Sequence, residues 1–140
     1  MVNKIVIYSD GGARGNPGPA ACAFIVEDEG GKLLHQDSKY LGETTNNYAE
    51  YQGAILALQQ TLENEKDIEG VINFYMDSEL VVKQINGQYK VKEPTLQKLH
   101  KEVKDLLNKI SLEVVFKNVP REKNKIADSL VNKELDKRSK

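Results

Sequence analysis

The stretch Lys4 to Pro19, KIVIYSDGGARGNPGP, decides how the rest of the chain is read. Ile5 and Ile7 alternate with Val6 and Tyr8 in a run of β-branched and aromatic residues, the signature of a strand covered on both faces. Asp10 is expected where that strand ends. Gly11 and Gly12 follow at once, so the backbone can turn sharply there and pass close to a ligand. A glycine-rich loop that cradles nucleotide phosphates opens into a helix, whereas Pro17 and Pro19 lead into AACAFIV, a second strand. A dinucleotide-binding fold is thereby set aside.

Moving outward, AACAFIVEDEGGKLLHQDSKYL reads as a hairpin with Phe24 and Val26 on one side, a turn from Glu29 to Lys32, and a more polar returning strand. Thr45, Asn46 and Asn47 then supply N-cap chemistry ahead of Ala54, Ile55, Leu58 and Leu62, which recur at helical spacing. A helix over about 47–63 follows, with Glu50 in its first turn. Gly53, Ala54 and Ala57 let it lie close against a sheet. After Gly70, VINFYMD is a second buried strand ending at Asp77, and a right-handed crossover makes it parallel to the first. SELVVKQING reads as a short helix stopped by Gly87. QYKVKEP is a loop, and Thr95 opens a longer helix along Leu96, Leu99, Val103, Leu106, Leu107 and Ile110. SLEVVFKNVP is a third strand, stopped by Pro120. Asn124 to Lys137 forms a last helix with Ile126, Leu130, Val131 and Leu135 on one stripe.

The expected architecture is an α/β fold, a mixed sheet with helices on its faces, built as one domain over residues 1–140. A chain of this length buries roughly 70% of its unfolded surface without crosslinks. Cys22 is the only cysteine, so no intrachain disulfide forms, and a thiol in an apolar stretch suits a reducing compartment. With neither a signal-peptide pattern nor a span of about twenty apolar residues, the reading is a soluble cytoplasmic protein with no membrane partner. Nothing in the sequence demands more than a monomer.

Twenty Lys and Arg against twenty-one Asp and Glu give a net charge of −1, which does not announce a nucleic-acid binder. The local balance differs. Lys83 to Lys104 holds six lysines and two acids, and Lys117 to Lys125 four bases and one acid. Such clusters can neutralise phosphates, though either alone can equally be a solvated face.

Each of four acids has a plain structural reading. Asp10 can be a turn residue, Glu50 a capping-box partner of Asn47, Asp77 a helix cap and Asp128 an exposed helix residue. Jointly they say more, because Asp10 and Asp77 end apolar strands whose carboxyl ends are where open sheets bind ligands, while Glu50 and Asp128 lie on helices able to flank those ends. Converging carboxylates repel unless cations sit among them. Oxygen-only ligands select Mg²⁺ or Mn²⁺ over zinc, and His35 and His100 are not spaced for a zinc site. Two such ions can activate a water and stabilise a leaving oxygen in phosphodiester cleavage. No Gly-x-Ser-x-Gly elbow is present and Cys22 has no nearby His, so acyl transfer has no support.

The motifs resemble type 1 ribonuclease H over nearly the whole chain: YSDGGARGNPGPAACAFIV with Asp10, TTNNYAEYQGAILAL with Glu50, FYMDSELVV with Asp77 and REKNKIADSLVN with Asp128. The resemblance implies a five-stranded mixed sheet, its first three strands antiparallel and the rest parallel. It also implies hydrolysis of the RNA strand of RNA/DNA hybrids to 5′-phosphate and 3′-hydroxyl ends. Asp10, Glu50, Asp77 and Asp128 become the catalytic and metal-binding acids, holding two Mg²⁺ (or Mn²⁺) ions with substrate. Asn16, Asn46 and Asn47 become minor-groove contacts, Thr45 a DNA-phosphate contact, and Ser78 and Arg121 further substrate contacts. Double-stranded RNA is a second candidate partner.

The sequence departs from the family in three places. Where many relatives carry a histidine before the last helix, NVPREKNKIAD offers Arg121, as in a subset from archaea and some bacteria; arginine cannot serve as a general acid or base near neutral pH. The segment after Gly87 is too short for the basic protrusion of longer bacterial enzymes, with Lys90, Lys92 and Lys98 as partial substitutes. Glu79 stands where a neutral polar residue is frequent. The competing readings are an inactive nucleic-acid-binding module of the same fold and a DNA-cutting nuclease of related fold.

Overall fold

A computed structural model describes residues 2–139. Its sheet has five strands: β1 (Val6–Ala13), β2 (Gly18–Glu27), β3 (Leu33–Thr44), β4 (Ile72–Met76) and β5 (Val114–Asn118), in the spatial order β3-β2-β1-β4-β5. β1, β2 and β3 are antiparallel to one another in turn; β4 and β5 run parallel to β1 and to each other. Four α-helices accompany it: α1 (Asn46–Asn64), α2 (Glu79–Ile85), α3 (Pro94–Lys109) and α4 (Lys125–Arg138). The sequence did not foretell the two-residue parallel pairing of Val2–Asn3 with Ile68–Glu69, nor the 3-10 turns at Glu65–Asp67 and Arg121–Lys123.

The two faces of the sheet are unequal. On one, α1 lies across β1 and β2 with α3 against it, and the main core gathers Ile5, Ile7, Phe24, Leu58, Phe74 and Val103. On the other, α4 crosses β1, β2 and β3, and the buried cluster is only Ala21, Ala23, Val131 and Leu135. Val6 and Tyr8 point to this second face and are half-buried, so β1 is not covered equally on both sides as its composition suggests; Tyr8 rests on Tyr75 with ring centroids 5.3 Å apart.

Four expectations need correction. β1 does not end at Asp10 but continues to Ala13, paired with Ala20 on β2. What ends beside Asp10 is the parallel neighbour, whose last pair is Ser9 with Met76. Gly11 therefore makes no turn: a Cβ there would lie 2.2 Å from the backbone of Ala49, so the missing side chain is what allows α1 to press on the strand. α1 is capped by Thr45, whose Oγ1 accepts from the Tyr48 N–H at 3.2 Å. This puts Glu50 beyond the first turn, outside a capping box. α3 opens at Pro94, the usual first-turn place for proline, rather than at Thr95. On α4, Val131 and Leu135 are buried as expected and Leu130 packs at the edge of their cluster, but Ile126 is exposed and Ala127, four residues before Val131, takes the buried position of the first turn.

Candidate active site

The register of the sheet brings the acids together. One step beyond the last parallel pair, Ser9 with Met76, stand Asp10 and Asp77, so two strands deliver two carboxylates to the same rim. α1 adds Glu50 from the core side. It is held close by a second small residue, since a Cβ at Gly53 would approach the Asp10 carbonyl oxygen to 2.7 Å. One carboxylate oxygen from each of Asp10, Glu50 and Asp77 lies within 4.8 Å of the others. Asp10 and Glu50 are each only 6% exposed, and Asp77 is half-buried.

Asp128 comes on α4, from the face of the sheet opposite to α1, which carries Glu50. It lines the same cleft, of about 400 Å³, yet stands outside the cluster of three. Asn124 pins the start of α4 by donating from Nδ2 to the Ser9 carbonyl at 2.9 Å, and the Asp128 N–H donates to the Asn124 carbonyl at 3.1 Å.

This concentration of negative charge acts on its own members. The Asp10 carboxyl is pushed up to about 8, first by burial and then by the charges of Asp77 and Asp128. Glu50 is pushed well above the usual carboxylate range, first by burial and then by Asp10 and Asp77. Glu50 Oε1 is buried and has no hydrogen-bond partner. Three clustered carboxylates, one with a sealed and unpartnered oxygen, form a donor set suited to a hard divalent cation bound through oxygen.

The remaining expected site residues divide. Asn46, Asn47, Ser78 and Arg121 line the cleft with the acids, whereas Asn16 and Thr45 stand outside its lining. Several already hold structural bonds. Asn16 Oδ1 accepts from the Asn46 N–H at 3.0 Å, and Asn46 Oδ1 from the Ala13 N–H at 2.8 Å, tying the β1–β2 turn to the head of α1. Ser78 caps α2 by accepting from the Val81 N–H at 3.3 Å. Arg121 is exposed at the cleft edge.

Of the six lysines between 83 and 104, three have partners within the fold. Lys83 sits 3.4 Å from Glu79 and 5.1 Å over the Tyr89 ring, Lys101 lies 3.1 Å from Asp105, and Lys104 donates to the Ile85 carbonyl. Reading the sequence missed Arg14, Asn124 and Asn132. Arg14 lies inside the most informative stretch but carries no periodic or capping signal. Its contacts are on α4, 118 residues away.

Comparison with known proteins follows the same lines. Residues 8–134 match a family described as reverse transcriptase-like. The bifunctional protein Rv2228c of Mycobacterium tuberculosis is 38% identical over 134 residues, which is 95% of this chain and 36% of that protein. The ribonuclease HI of Halobacterium salinarum is 34% identical over 133 residues, 95% of this chain and 65% of that protein. The chain thus spans about a third of the mycobacterial relative and less than two thirds of the haloarchaeal one. The crystal structure of LC11-RNase H1 in complex with an RNA/DNA hybrid superposes with a TM-score of 0.92 at 46% identity, covering 98% of this chain and 100% of that one. No helix among the described residues is long and apolar enough to cross a membrane.

Proposed function

The chain belongs to the ribonuclease HI-like family, and from that premise we propose that it is an endonuclease hydrolysing the RNA strand of RNA/DNA hybrids to 5′-phosphate and 3′-hydroxyl ends. The observation that carries this reading is the buried convergence of Asp10, Glu50 and Asp77 at the strand rim with Asp128 across the cleft. A binder of nucleic acid has no use for clustered negative charge facing phosphates. The hybrid held by LC11-RNase H1 supplies the substrate class.

In this reading Asp10, Glu50, Asp77 and Asp128 hold two Mg²⁺ ions, with Mn²⁺ as a substitute. Once bound, such ions activate water for attack and neutralise charge on the scissile phosphate and leaving oxygen. The acids contribute by placing charge at the rim and by excluding bulk water from its inner side, where Glu50 is sealed. Asn16 and Asn46 each spend their carbonyl oxygen on the backbone, which leaves their NH₂ groups to donate to base edges and 2′-hydroxyls in the shallow minor groove, beside Asn47. Thr45 and Ser78 accept from helix N–H groups and keep their own O–H for phosphate oxygens. Arg121 clamps a phosphate and moves no proton. The protein works as a cytoplasmic monomer, in keeping with the buried free thiol of Cys22.

Labelled hybrid, double-stranded RNA and double-stranded DNA, incubated side by side with Mg²⁺ or Mn²⁺, test the proposal. Hybrid should be cut, the RNA products should accept label at the 5′ end only after phosphatase, and Asp10→Asn and Asp77→Asn should be inert. Equal inertness of the parent protein and both variants would establish a binding module instead. Cleavage of the DNA duplex would remove the 2′-hydroxyl from the argument.

A further inference from the structure

Asp128 poses a positioning problem that the other acids do not. Asp10 and Asp77 are set by strand register and Glu50 by a helix clamped over glycine, but Asp128 rides on a helix whose buried cluster is two alanines, a valine and a leucine. So small an apolar contact fixes the tilt and slide of a helix weakly. Polar ties add to it: Ser38 donates to Glu134 at 3.0 Å, Arg138 lies 4.9 Å over the Tyr40 ring, and two further ties bracket Asp10 in sequence. Before it, the Ser9 carbonyl receives Asn124. After it, Arg14 reaches α4: its Nη2 lies 2.7 Å from Asp136 Oδ1 and donates at 3.4 Å to both the carbonyl and Oδ1 of Asn132. Asn132 Nδ2 in turn donates to the Asp128 carbonyl at 3.1 Å and reaches Asp128 Oδ2 at 3.4 Å.

Asp128, Asn132 and Asp136 are spaced by four, so they stand one above another on a single helix face. Arg14, Asn132 and Asp128 all line the cleft. The Asn132 amide lies between a guanidinium and a carboxylate, and these opposite charges settle its flip: oxygen toward Arg14, nitrogen toward Asp128. At 3.4 Å each contact is long, so the value of the chain is orientation rather than binding strength.

We propose that Asn132, itself oriented by Arg14, is a positioning residue that holds one carboxylate oxygen of Asp128 and thereby turns the other toward the cation site. This rests on the hybrid-cleaving reading and adds to it two residues that act through Asp128. Groups that orient a metal-holding side chain typically contribute about 10- to 100-fold to affinity or activity. Asn132→Ala should therefore lower kcat on hybrid by about 10- to 100-fold while KM stays within about two-fold, and should weaken Mg²⁺ binding to the nucleic-acid-free protein by a similar factor in calorimetry. Arg14→Ala should show a smaller fall of the same kind, and added to Asn132→Ala it should cost less than about a further two-fold, since both act on one carboxylate.

Asn132→Asp keeps an acceptor for Arg14, and so the tie to β1, but removes the donor to Asp128. It should fold, as judged by circular dichroism, and lose at least as much activity as the alanine variant. Unchanged kcat and unchanged Mg²⁺ affinity in Asn132→Asp would overturn the proposal. So would a rise in KM for Arg14→Ala with kcat intact, which would make Arg14 a substrate contact. An inert parent protein sinks the cleavage reading instead, and the Mg²⁺ titration, which needs no cleavage, then decides the positioning role.

Discussion

Glu50 enters the cleft from the face packed under α1 and Asp128 from the face under α4, with Asp10 on the strand between them, paired with Ala23 of the α4-side cluster. The two faces hold their helices by different physics. Under α1 the backbone itself is the fixture. Gly11 and Gly53 allow helix and strand to touch at distances no Cβ would permit, and a large apolar core keeps them there. Under α4 the apolar contact is small, and side-chain hydrogen bonds, including those from Asn124, Arg14 and Asn132, help set the position. The difference teaches where tolerance lies: the α1 wall resists any added atom, whereas the α4 wall responds to lost polar groups. Glu50, whose Oε1 is buried without a partner, enters from the stiff wall.

The largest test compares an acid of the buried cluster with the one carried by α4. Asp10→Asn should reduce hybrid cleavage about a thousand-fold or more, since it removes charge worth several kcal/mol to the reaction. Asp128→Asn, outside the cluster of three, should cost less than Asp10→Asn, about 100-fold, which is the ceiling for any residue that acts only through Asp128. Equal losses in single-turnover rates would erase the distinction.

Next in size is backbone contact. Gly11→Ala should destabilise by about 3 kcal/mol or more in urea unfolding, because a Cβ 2.2 Å from Ala49 forces α1 off the strand. A milder pair probes the two cores. Leu58→Ala, under α1, should cost about 2–5 kcal/mol, and Val131→Ala, under α4, about 1–2 kcal/mol. A Val131 cost matching that of Leu58 would mean that α4 is anchored by packing after all.

The smallest expected effect is on pH dependence. In metal-free protein Asp10 holds its proton to about pH 8, against an ordinary value of 3.8, and Glu50 is raised as well. The folded state therefore binds more protons than the unfolded chain, and stability that is complete below about pH 4 is lost as pH rises through about 8. A fall in Tm of about 2–6 °C between pH 5 and pH 8.5 is expected without metal, mostly recovered with Mg²⁺ or in Asp10→Asn. A Tm that rises with pH in metal-free protein would reverse the sign and refute the charge crowding.

Much of this was legible because it is local. Alternation in KIVIY, helical spacing from Ala54 to Leu62 and the turn after Glu27 depend on residues a few places apart, and they placed every long element to within a few residues. The four acids stood out because their neighbours patterned so clearly around them. What misled was also local. Two glycines after Asp10 look like a turn, yet the strand continues, because pairing of residues 10–13 with 20–23 and pressure from Ala49 are decided far from the string Asp-Gly-Gly. Ile126 likewise fits an apolar stripe but not the phase in which α4 meets Ala21 and Ala23.

The sequence alone determined which residue types were available and in what order: strand, hairpin, crossover, and four carboxylates each at the edge of an element. Only the tertiary structure decided that three of them close to within 4.8 Å while Asp128 stands apart, and that Arg14 reaches Asn132 across 118 residues. The physical reason is range. Propensity and periodicity act over one or two turns of chain, whereas the distance between carboxylates on different elements depends on sheet register, the closeness a missing Cβ permits and the ties that hold a helix in place.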